Sequence, residues 1–217
     1  AIAVAADGSI AFGGDTRGPL VIDDETTEVP GRGADAWISH WSGGGEHRWT
    51  RTWGGASDDI AKGLAFDEDG IYAVGTFGST IDLAGAHLDA GPSTDLAVAR
   101  FDLDGGLDWA TSMRADAPVA GAEVVTAADG GIMFAGRGAA GLTFASPSGE
   151  LVALDDHPGG TAFLVQVRPD GSVGLVVSSF MLQLVPDRVS VLGVISRVLR
   201  PGGRLVLVTW LADEADL

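Results

Sequence analysis

Cysteine is absent from this chain of 217 residues, and basic residues are scarce. The lack of cysteine excludes disulfides, thiolate nucleophiles and zinc-thiolate sites, but it does not identify the cellular compartment. Only 13 lysines and arginines stand against 30 aspartates and glutamates, which gives a formal net charge of −17. Because this charge repels phosphate backbones and anionic lipid surfaces, we expect no nucleic-acid partner, whereas cations remain suitable ligands.

Long apolar runs are also lacking. No stretch reaches the roughly 18 to 20 apolar residues that a bilayer-spanning helix requires, so we expect no membrane insertion. The opening stretch AIAVAADGSI has neither the basic region nor the long apolar core of a signal peptide. What the chain has in abundance is glycine, with 33 residues, and 46% hydrophobic content, which together predict a folded chain of many short elements.

The sequence repeats itself at intervals of about sixty residues. DAWISHWSGGGEHRW at 35–49 aligns with DLAVARFDLDGGLDW at 95–109, and a third copy, TAFLVQVRPDGSVGL, occupies 161–175. A second shared block carries Asp-Gly at 7–8, 69–70 and 129–130. A fixed period of this length is typical of repeat architectures.

Each copy predicts four antiparallel strands. An apolar run, an Asp-Gly hairpin turn and a second apolar run are followed by an alternating segment, in which Leu96, Val98 and Arg100 face one side and Ala97 and Phe101 the other. A second turn then leads to an outer strand. Asp-Gly suits such turns because glycine adopts positive φ without steric cost.

Four strands per repeat predict a mainly β chain containing a partial β-propeller of about three blades. The predicted propeller region is 1–174, with blades at about 1–58, 59–118 and 119–174. Since a single sheet cannot bury both of its faces, neighbouring blades must stack. Closed propellers usually have four to eight blades. Either the repeats belong to a longer propeller, or they complete a ring by self-association or with another chain.

The stretch from Trp49 to Trp109 resembles the bacterial SBBP β-propeller repeat, through WGGASDD, GLAFDEDG, YAVGTF and TDLAVARFDLDG. The flanking copies depart from it, with Met113 in place of the first copy's Trp53 and Leu175 where tryptophan is expected. The resemblance implies an exported or cell-surface protein with a scaffold or binding surface for a protein or glycan. It supplies no set of catalytic residues.

The segment 175–217 has a different pattern. A buried strand is predicted by LVVSSFMLQLVPD. A helix is predicted next by DRVSVLGVISRVLR, which has apolar residues at helical spacing and Asp187 as N-cap, and PGG ends this helix. A second strand is predicted by RLVLVTW. Strand, helix and strand within about 35 residues predict a parallel unit. This part is also charge-balanced, with four basic and four acidic residues.

This segment resembles the later half of a class I S-adenosylmethionine-dependent methyltransferase, through the stretch SSFMLQLVPDRVSVLGVISRVLRPGGRLVLVTW. The resemblance implies the fourth strand, the following helix and the fifth strand of that fold, with Ser178, Ser179 and Phe180 as residues of a completed pocket. The glycine-rich turn and acidic residue that bind this cofactor have no counterpart upstream. Methyl transfer is therefore not expected of these residues alone, and the alternative is a methyltransferase whose cofactor-binding half has been replaced or is supplied in trans. A natural fusion, an engineered chimera and a joined reading frame all fit such a junction.

Several residues could form smaller sites. Asp67, Asp69, Asp102 and Asp104 form two Asp-x-Asp-Gly turns, which favour ordinary hairpins over a weak calcium site, because calcium requires more oxygen ligands. Asp58 and Asp59 are also candidates, since equivalent loops of adjacent blades could converge, although a solvated turn is favoured there.

Five tryptophans at matching repeat positions favour packing between blades over a sugar-stacking surface: Trp37, Trp41, Trp49, Trp53 and Trp109.

The leading hypothesis is a non-catalytic, acidic β-propeller module that binds a ligand or acts as a scaffold, without a cofactor. The alternative is a methyltransferase that uses S-adenosylmethionine. An exported or surface location is implied by the repeat resemblance alone. The four histidines show no metal-ligand spacing, so no zinc site is expected.

Overall fold

The computed structural model describes residues 1–30, 32–127, 130–138, 141–145, 151–155, 161–179 and 199–208. Within these residues the chain forms seventeen β-strands and no helix. The predicted mainly β class is therefore confirmed for the described part. No helix long and apolar enough to cross a membrane occurs among these residues.

The first repeat forms a four-stranded antiparallel sheet. Its strands follow one another in the order β1-β2-β5-β6, and a separate hairpin, β3-β4, leaves the sheet after the second strand. The bounds are β1 Ile2–Val4, β2 Ile10–Thr16, β3 Leu20–Ile22, β4 Glu25–Thr27, β5 Asp35–Trp41 and β6 His47–Trp53.

The second repeat forms the same meander from longer strands, in the order β7-β8-β9-β10. The far ends of β8 and β9 pair from Thr80 with Asp89 to Leu83 with Ala86, and so make a hairpin like β3-β4 within the strands themselves. The bounds are β7 Ile60–Phe66, β8 Gly70–Leu83, β9 Ala86–Asp102 and β10 Leu107–Arg114.

The third repeat contributes to two sheets. Strands β11, β12, β15 and β16 form the third meander, whereas the hairpin β13-β14 joins the edge of the second sheet, where Met113 pairs with Phe144. This hairpin ties the third repeat to the second. The bounds are β11 Ala120–Thr126, β12 Ile132–Gly138, β13 Leu142–Ala145, β14 Leu151–Asp155, β15 Thr161–Val167 and β16 Val173–Ser179.

The Asp-Gly turns agree with the prediction in two repeats out of three. Gly8 and Gly130 have φ of 85° and 86°, as a left-handed turn residue requires. Gly70 does not have a positive φ and begins β8 instead. Glycine is still needed there, because a Cβ would lie 2.6 Å from the Phe101 carbonyl oxygen and 2.7 Å from the Arg100 guanidinium carbon.

The second sheet separates two hydrophobic cores. Leu96 and Val98 on β9 belong to the core shared with the third sheet, whereas Ala97, Ala99 and Phe101 belong to the core shared with the first sheet. The predicted alternation along β9 is confirmed. Because both faces of the second sheet are covered, its strands are more apolar than those of a sheet with one solvated face.

The first strands of the three meanders lie close together, with β7 in contact with β1, β2 and β11. This side-by-side stacking of three sheets does not form a closed ring among the described residues. The predicted propeller is therefore not confirmed, and the structure supports the coarser description of a mainly β chain with three repeated meanders.

The predicted parallel strand pair is present at the C-terminal end. Strand β17, Leu199–Val208, pairs in parallel with β16, from Leu175 with Arg204 to Ser179 with Val208. The strand begins before the predicted Arg204, and a register irregularity accommodates the PGG sequence, since proline lacks the N–H that a regular ladder needs. The predicted helix, with Asp187, falls mostly on residues outside the described ranges.

Candidate functional site

The carboxyl ends of two adjacent parallel strands form the first candidate site. The register places Ser178 opposite Leu207 and Ser179 opposite Val208. In open sheets with parallel strands, ligands bind in the crevice outside these ends. Both predicted serines therefore lie at the end where such a crevice is expected, whereas Phe180 is outside the described residues.

The two Asp-x-Asp-Gly turns use their carboxylates to order the backbone. The Asp67 carboxylate accepts the backbone N–H of Asp69 at 2.9 Å. The Asp102 carboxylate accepts those of Asp104 at 2.9 Å and Gly106 at 2.7 Å. In the described part of the chain, no group of three or more His, Cys, Asp or Glu side chains is arranged to hold a metal ion. Calcium binding at these turns stays a prediction.

Asp67 has a second role that the sequence did not reveal. Its buried carboxylate pairs with Arg100 of β9, at 3.0 Å from the guanidinium nitrogen, and Arg100 also contacts Asp108. The Tyr72 hydroxyl bonds Asp67 at 3.0 Å and lies 3.2 Å from the Gly130 carbonyl of the third repeat. Burial acts to raise the pKa of Asp67, but the hydrogen bonds from Arg100, Asp69 and Tyr72 outweigh it and lower the pKa.

Two tryptophans connect each meander to the next. The indole N–H of Trp49 donates to the Leu103 carbonyl at 2.9 Å, and the indole of the equivalent Trp109 donates to the Pro169 carbonyl at 2.8 Å. Each acceptor lies in the turn before the fourth strand of the following repeat. The third repeat has Leu175 at this position, so the recurring indole bond is not available there. Packing between repeats is thus confirmed for these two indoles.

Trp37 and Trp41 lie on the other face of the first sheet and are only half-buried. Phe12 packs against both, with ring centroids 5.6 Å and 6.4 Å apart. The equivalent positions of the second repeat, Ala97 and Phe101, are buried against the first sheet. The first sheet therefore presents an aromatic face, defined here as Phe12, Trp37 and Trp41, that its equivalents in the second repeat do not expose.

Buried carboxylates lie at the entrances to the second and third meanders. Asp59 accepts the backbone N–H groups of Gly55 at 2.9 Å and Gly78 at 3.0 Å, yet burial, with the nearby charge of Asp35, raises its pKa to about 6. Burial also raises the pKa of Asp95, which is equivalent to Asp35, to about 7. Asp59 is thus a buried acid rather than the solvated turn residue that the sequence favoured.

Asp58 differs from its neighbour because it is exposed. It accepts the Ala34 backbone N–H at 2.9 Å and pairs with Arg17 at 2.8 Å. The Ala34 N–H holds the pKa of Asp58 below its usual range, with the Arg17 charge acting in the same direction. Asp58 therefore anchors a surface loop, and the two adjacent aspartates do not form a joint site.

A groove of about 570 Å³ runs along the first strands of the three meanders. Ile2 and Val4 of β1 and Val125 of β11 line it and are 69%, 65% and 56% exposed. Exposed β-branched residues on a first strand are unusual for a covered sheet, so this surface is a candidate for contact with another molecule.

The methyltransferase domain family model matches residues 161–207, which is about a fifth of the chain. The match supports the predicted methyltransferase-like fragment, but it begins in β15 rather than near Leu175, and so overlaps the third repeat. No curated protein matches the chain. The comparisons give no support for the resemblance to SBBP repeats. Residues 161–207 are therefore similar to part of a methyltransferase domain.

Proposed function

We propose that the chain carries part of an S-adenosylmethionine-dependent methyltransferase, whose missing cofactor-binding half is supplied in trans. The observation that carries this proposal is the family match at 161–207, together with the parallel pairing of β16 and β17. Parallel neighbours joined by a crossover are required by that fold and are foreign to the antiparallel meanders that precede them.

The residues present fit one side of a cofactor pocket. The register puts Ser178 and Ser179 at the end of β16, beside the end of β17 and at the edge where a crevice beyond both strands is expected. S-adenosylmethionine supplies an electrophilic methyl group on a positively charged sulfonium. Since the glycine turn is missing, the proposal requires weak binding and no turnover by this chain alone.

Calorimetric titration of S-adenosylmethionine into the intact chain tests the proposal. We expect submillimolar binding that a Ser178→Arg, Ser179→Arg double variant abolishes by filling the crevice. Ser172→Ala, just before the opposite end of β16, is the matched control and should bind as the wild type does. Absence of heat up to several millimolar ligand, or equal binding by the double variant, would refute the methyltransferase assignment.

A second candidate function is that of a β-repeat binding module, and the half-buried aromatic face of the first sheet favours it. In the second repeat the equivalent face packs on a neighbouring meander. We therefore propose that another repeat covers Phe12, Trp37 and Trp41, which is the arrangement of a propeller completed by self-association. Two chains would provide six meanders, within the usual range for closed propellers.

The mass of the chain in solution tests this second proposal. A pair of 22.1 kDa chains gives about 44 kDa by light scattering, and Trp37→Arg should shift the population to monomer. Arg48→Ala, which changes an exposed side chain of the same sheet, serves as the control. A monomeric wild type would refute self-association, and binding of a glycan array by that monomer would assign the aromatic face to carbohydrate instead.

A further inference from the structure

A cleft of about 260 Å³ lies between the first and second sheets, and it adjoins the groove along the first strands, with which it shares Ala5, Phe66 and Glu68. Its lining includes Ala5, Asp7 and His40 from the first repeat and Phe66, Asp67 and Glu68 from the second. His40 is 5% exposed, and its imidazole lies between the rings of Trp49 and Phe66, with centroid distances of 5.5 Å and 5.8 Å. Asp7 and Glu68 are exposed at the rim.

The two ring nitrogens of His40 are the buried polar atoms that face this cleft. Neither ring nitrogen makes a hydrogen bond of normal geometry within the described residues. The Leu103 carbonyl, which accepts the Trp49 indole at 2.9 Å, lies near the ring and acts to raise the pKa of His40; as an acceptor it can face only a ring N–H, so it leaves the other ring nitrogen without a donor. Burial lowers the pKa of His40 and so favours the neutral ring, which has one nitrogen lone pair available as an acceptor. A buried polar group without a partner is costly and points to a ligand.

The second repeat has an acidic partner for the residue equivalent to His40, and the first repeat lacks that partner. His40 and Arg100 occupy equivalent positions on the third strand of their meanders, and Ala5 and Asp67 occupy equivalent positions at the first turn. Asp67 pairs with Arg100 and fills the space between them. In the first repeat, alanine replaces the acid. The cleft beside Ala5 and His40 therefore corresponds in repeat position to the Asp67–Arg100 ion pair of the second repeat.

The charges around the cleft select the sign of its ligand. Asp7 and Glu68 contribute two negative charges at the rim, and Asp67 and Asp108 together exceed the single charge of Arg100 by one. The exposed Arg48 of β6 is the cation that acts on His40, where its charge helps to lower the pKa, and Glu46 pairs with it at 3.3 Å. A ligand with N–H donors and a positive charge would satisfy both the neutral imidazole acceptor and the negative rim.

We propose that this cleft binds a small organic cation, an alkylguanidinium or alkylammonium group, with His40 as the buried acceptor and Asp7 and Glu68 as the charged rim. The aromatic ring of Phe66 beside His40 provides an apolar wall for such a group. The volume suits a molecule of about ten heavy atoms or fewer.

Titration of methylguanidinium chloride into the intact chain, at constant ionic strength, is the test. We expect saturable 1:1 binding by calorimetry and a matching change in tryptophan fluorescence, because Trp49 packs against His40. N-methylurea has nearly the same shape without the charge, and it should bind at least tenfold more weakly.

Variants separate this site from general attraction of cations to an acidic protein. His40→Phe removes the acceptor and Ala5→Asp supplies the internal partner that the second repeat has, so each should weaken binding at least tenfold. His40→Gln, the residue found at the equivalent position 166, keeps an acceptor and should stay within about threefold. His47→Gln, which changes a histidine bonded to Thr50 away from the cleft, should bind like the wild type.

Circular dichroism and the unfolding midpoint establish that each variant is folded. Should His40→Phe unfold, the contrast between Ala5→Asp and His40→Gln still decides the matter. Non-saturable binding, equal binding of N-methylurea, or equal affinity of Ala5→Asp and wild type would overturn the proposal.

Discussion

At the residue scale, buried aspartates of this protein experience opposite environments. Asp67 is buried beside a guanidinium that stabilises its charge, whereas Asp59 and Asp95 are buried with backbone N–H groups as their main partners. Hydrogen bonds from the backbone do not offset the desolvation of these two carboxylates, so their pKa values rise to about 6 and about 7. The stability of the protein should therefore depend on pH near neutrality.

We predict that these two carboxylates make the protein less stable at pH 8 than at pH 5. Between about pH 4 and pH 7 the folded state holds protons that the unfolded chain has released, so stability falls as pH rises through this window. Each group should contribute on the order of 1–3 kcal/mol. Chemical denaturation at both pH values measures the difference, and Asp59→Asn and Asp95→Asn should each reduce it.

His40 acts in the opposite direction, because burial lowers its pKa and its contribution to stability increases with pH. The readout is therefore the change in pH dependence between wild type and variant, rather than the wild-type curve alone. Asp104→Asn removes an exposed carboxylate and is the control for the loss of one negative charge. An unaltered pH dependence in both buried variants would contradict the prediction.

The residue scale also shows where sequence reasoning failed. Asp67 was predicted as a turn residue with a weak metal-binding alternative, and the turn is present. Its ion pair with Arg100 was missed because the two residues lie 33 positions apart and meet only through strand register. The paired positions of Tyr72 and Arg100 on β8 and β9 could have indicated it, but only once the register was known.

At the scale of elements, the indole bonds link each outer strand to the next repeat. Trp109→Phe removes the donor to Pro169 and should lower the free energy of unfolding by about 1–2 kcal/mol, of which the hydrogen bond accounts for about 1. Hydrogen exchange should accelerate at the turn 168–172. Trp49→Phe should have the same effect at 102–106, where Leu103 accepts its bond.

Trp53→Phe is the control for loss of ring volume, since the Trp53 indole nitrogen is buried without a hydrogen-bond partner among the described residues. It should destabilise the protein without selective exchange at either turn. If all three variants accelerated exchange uniformly, the indole bonds would not be local links between repeats.

The elements themselves were largely predictable, because the repeat presents the same strand pattern three times and each copy corrects the interpretation of the others. Two features of these elements were not predictable from the sequence. The hairpin β13-β14 pairs with β10 rather than with its own repeat, and no local pattern encodes such a choice of partner. Gly70 follows Asp69 as in a hairpin turn, yet it is required by the close approach of Phe101 and Arg100.

At the scale of the whole molecule, β17 covers the outer edge of the third sheet. Deleting residues 180–217 exposes β16 as an edge strand, so we predict concentration-dependent association and faster hydrogen exchange in β15 and β16. Protection in β8 and β9 should change little, because both faces of the second sheet remain covered. Exchange mass spectrometry at two protein concentrations measures both effects, and a monomeric truncation with unchanged protection would disprove the prediction.

The strand Val173–Ser179 bonds in antiparallel fashion to β15 on one side and in parallel to β17 on the other. A hinge between the repeat region and the methyltransferase-like fragment cannot exist at that point, because the two share one ladder of peptide groups. Force applied to either region would act on the same strand, and a protease site engineered after residue 174 would cut the strand that both regions share instead of releasing two intact halves.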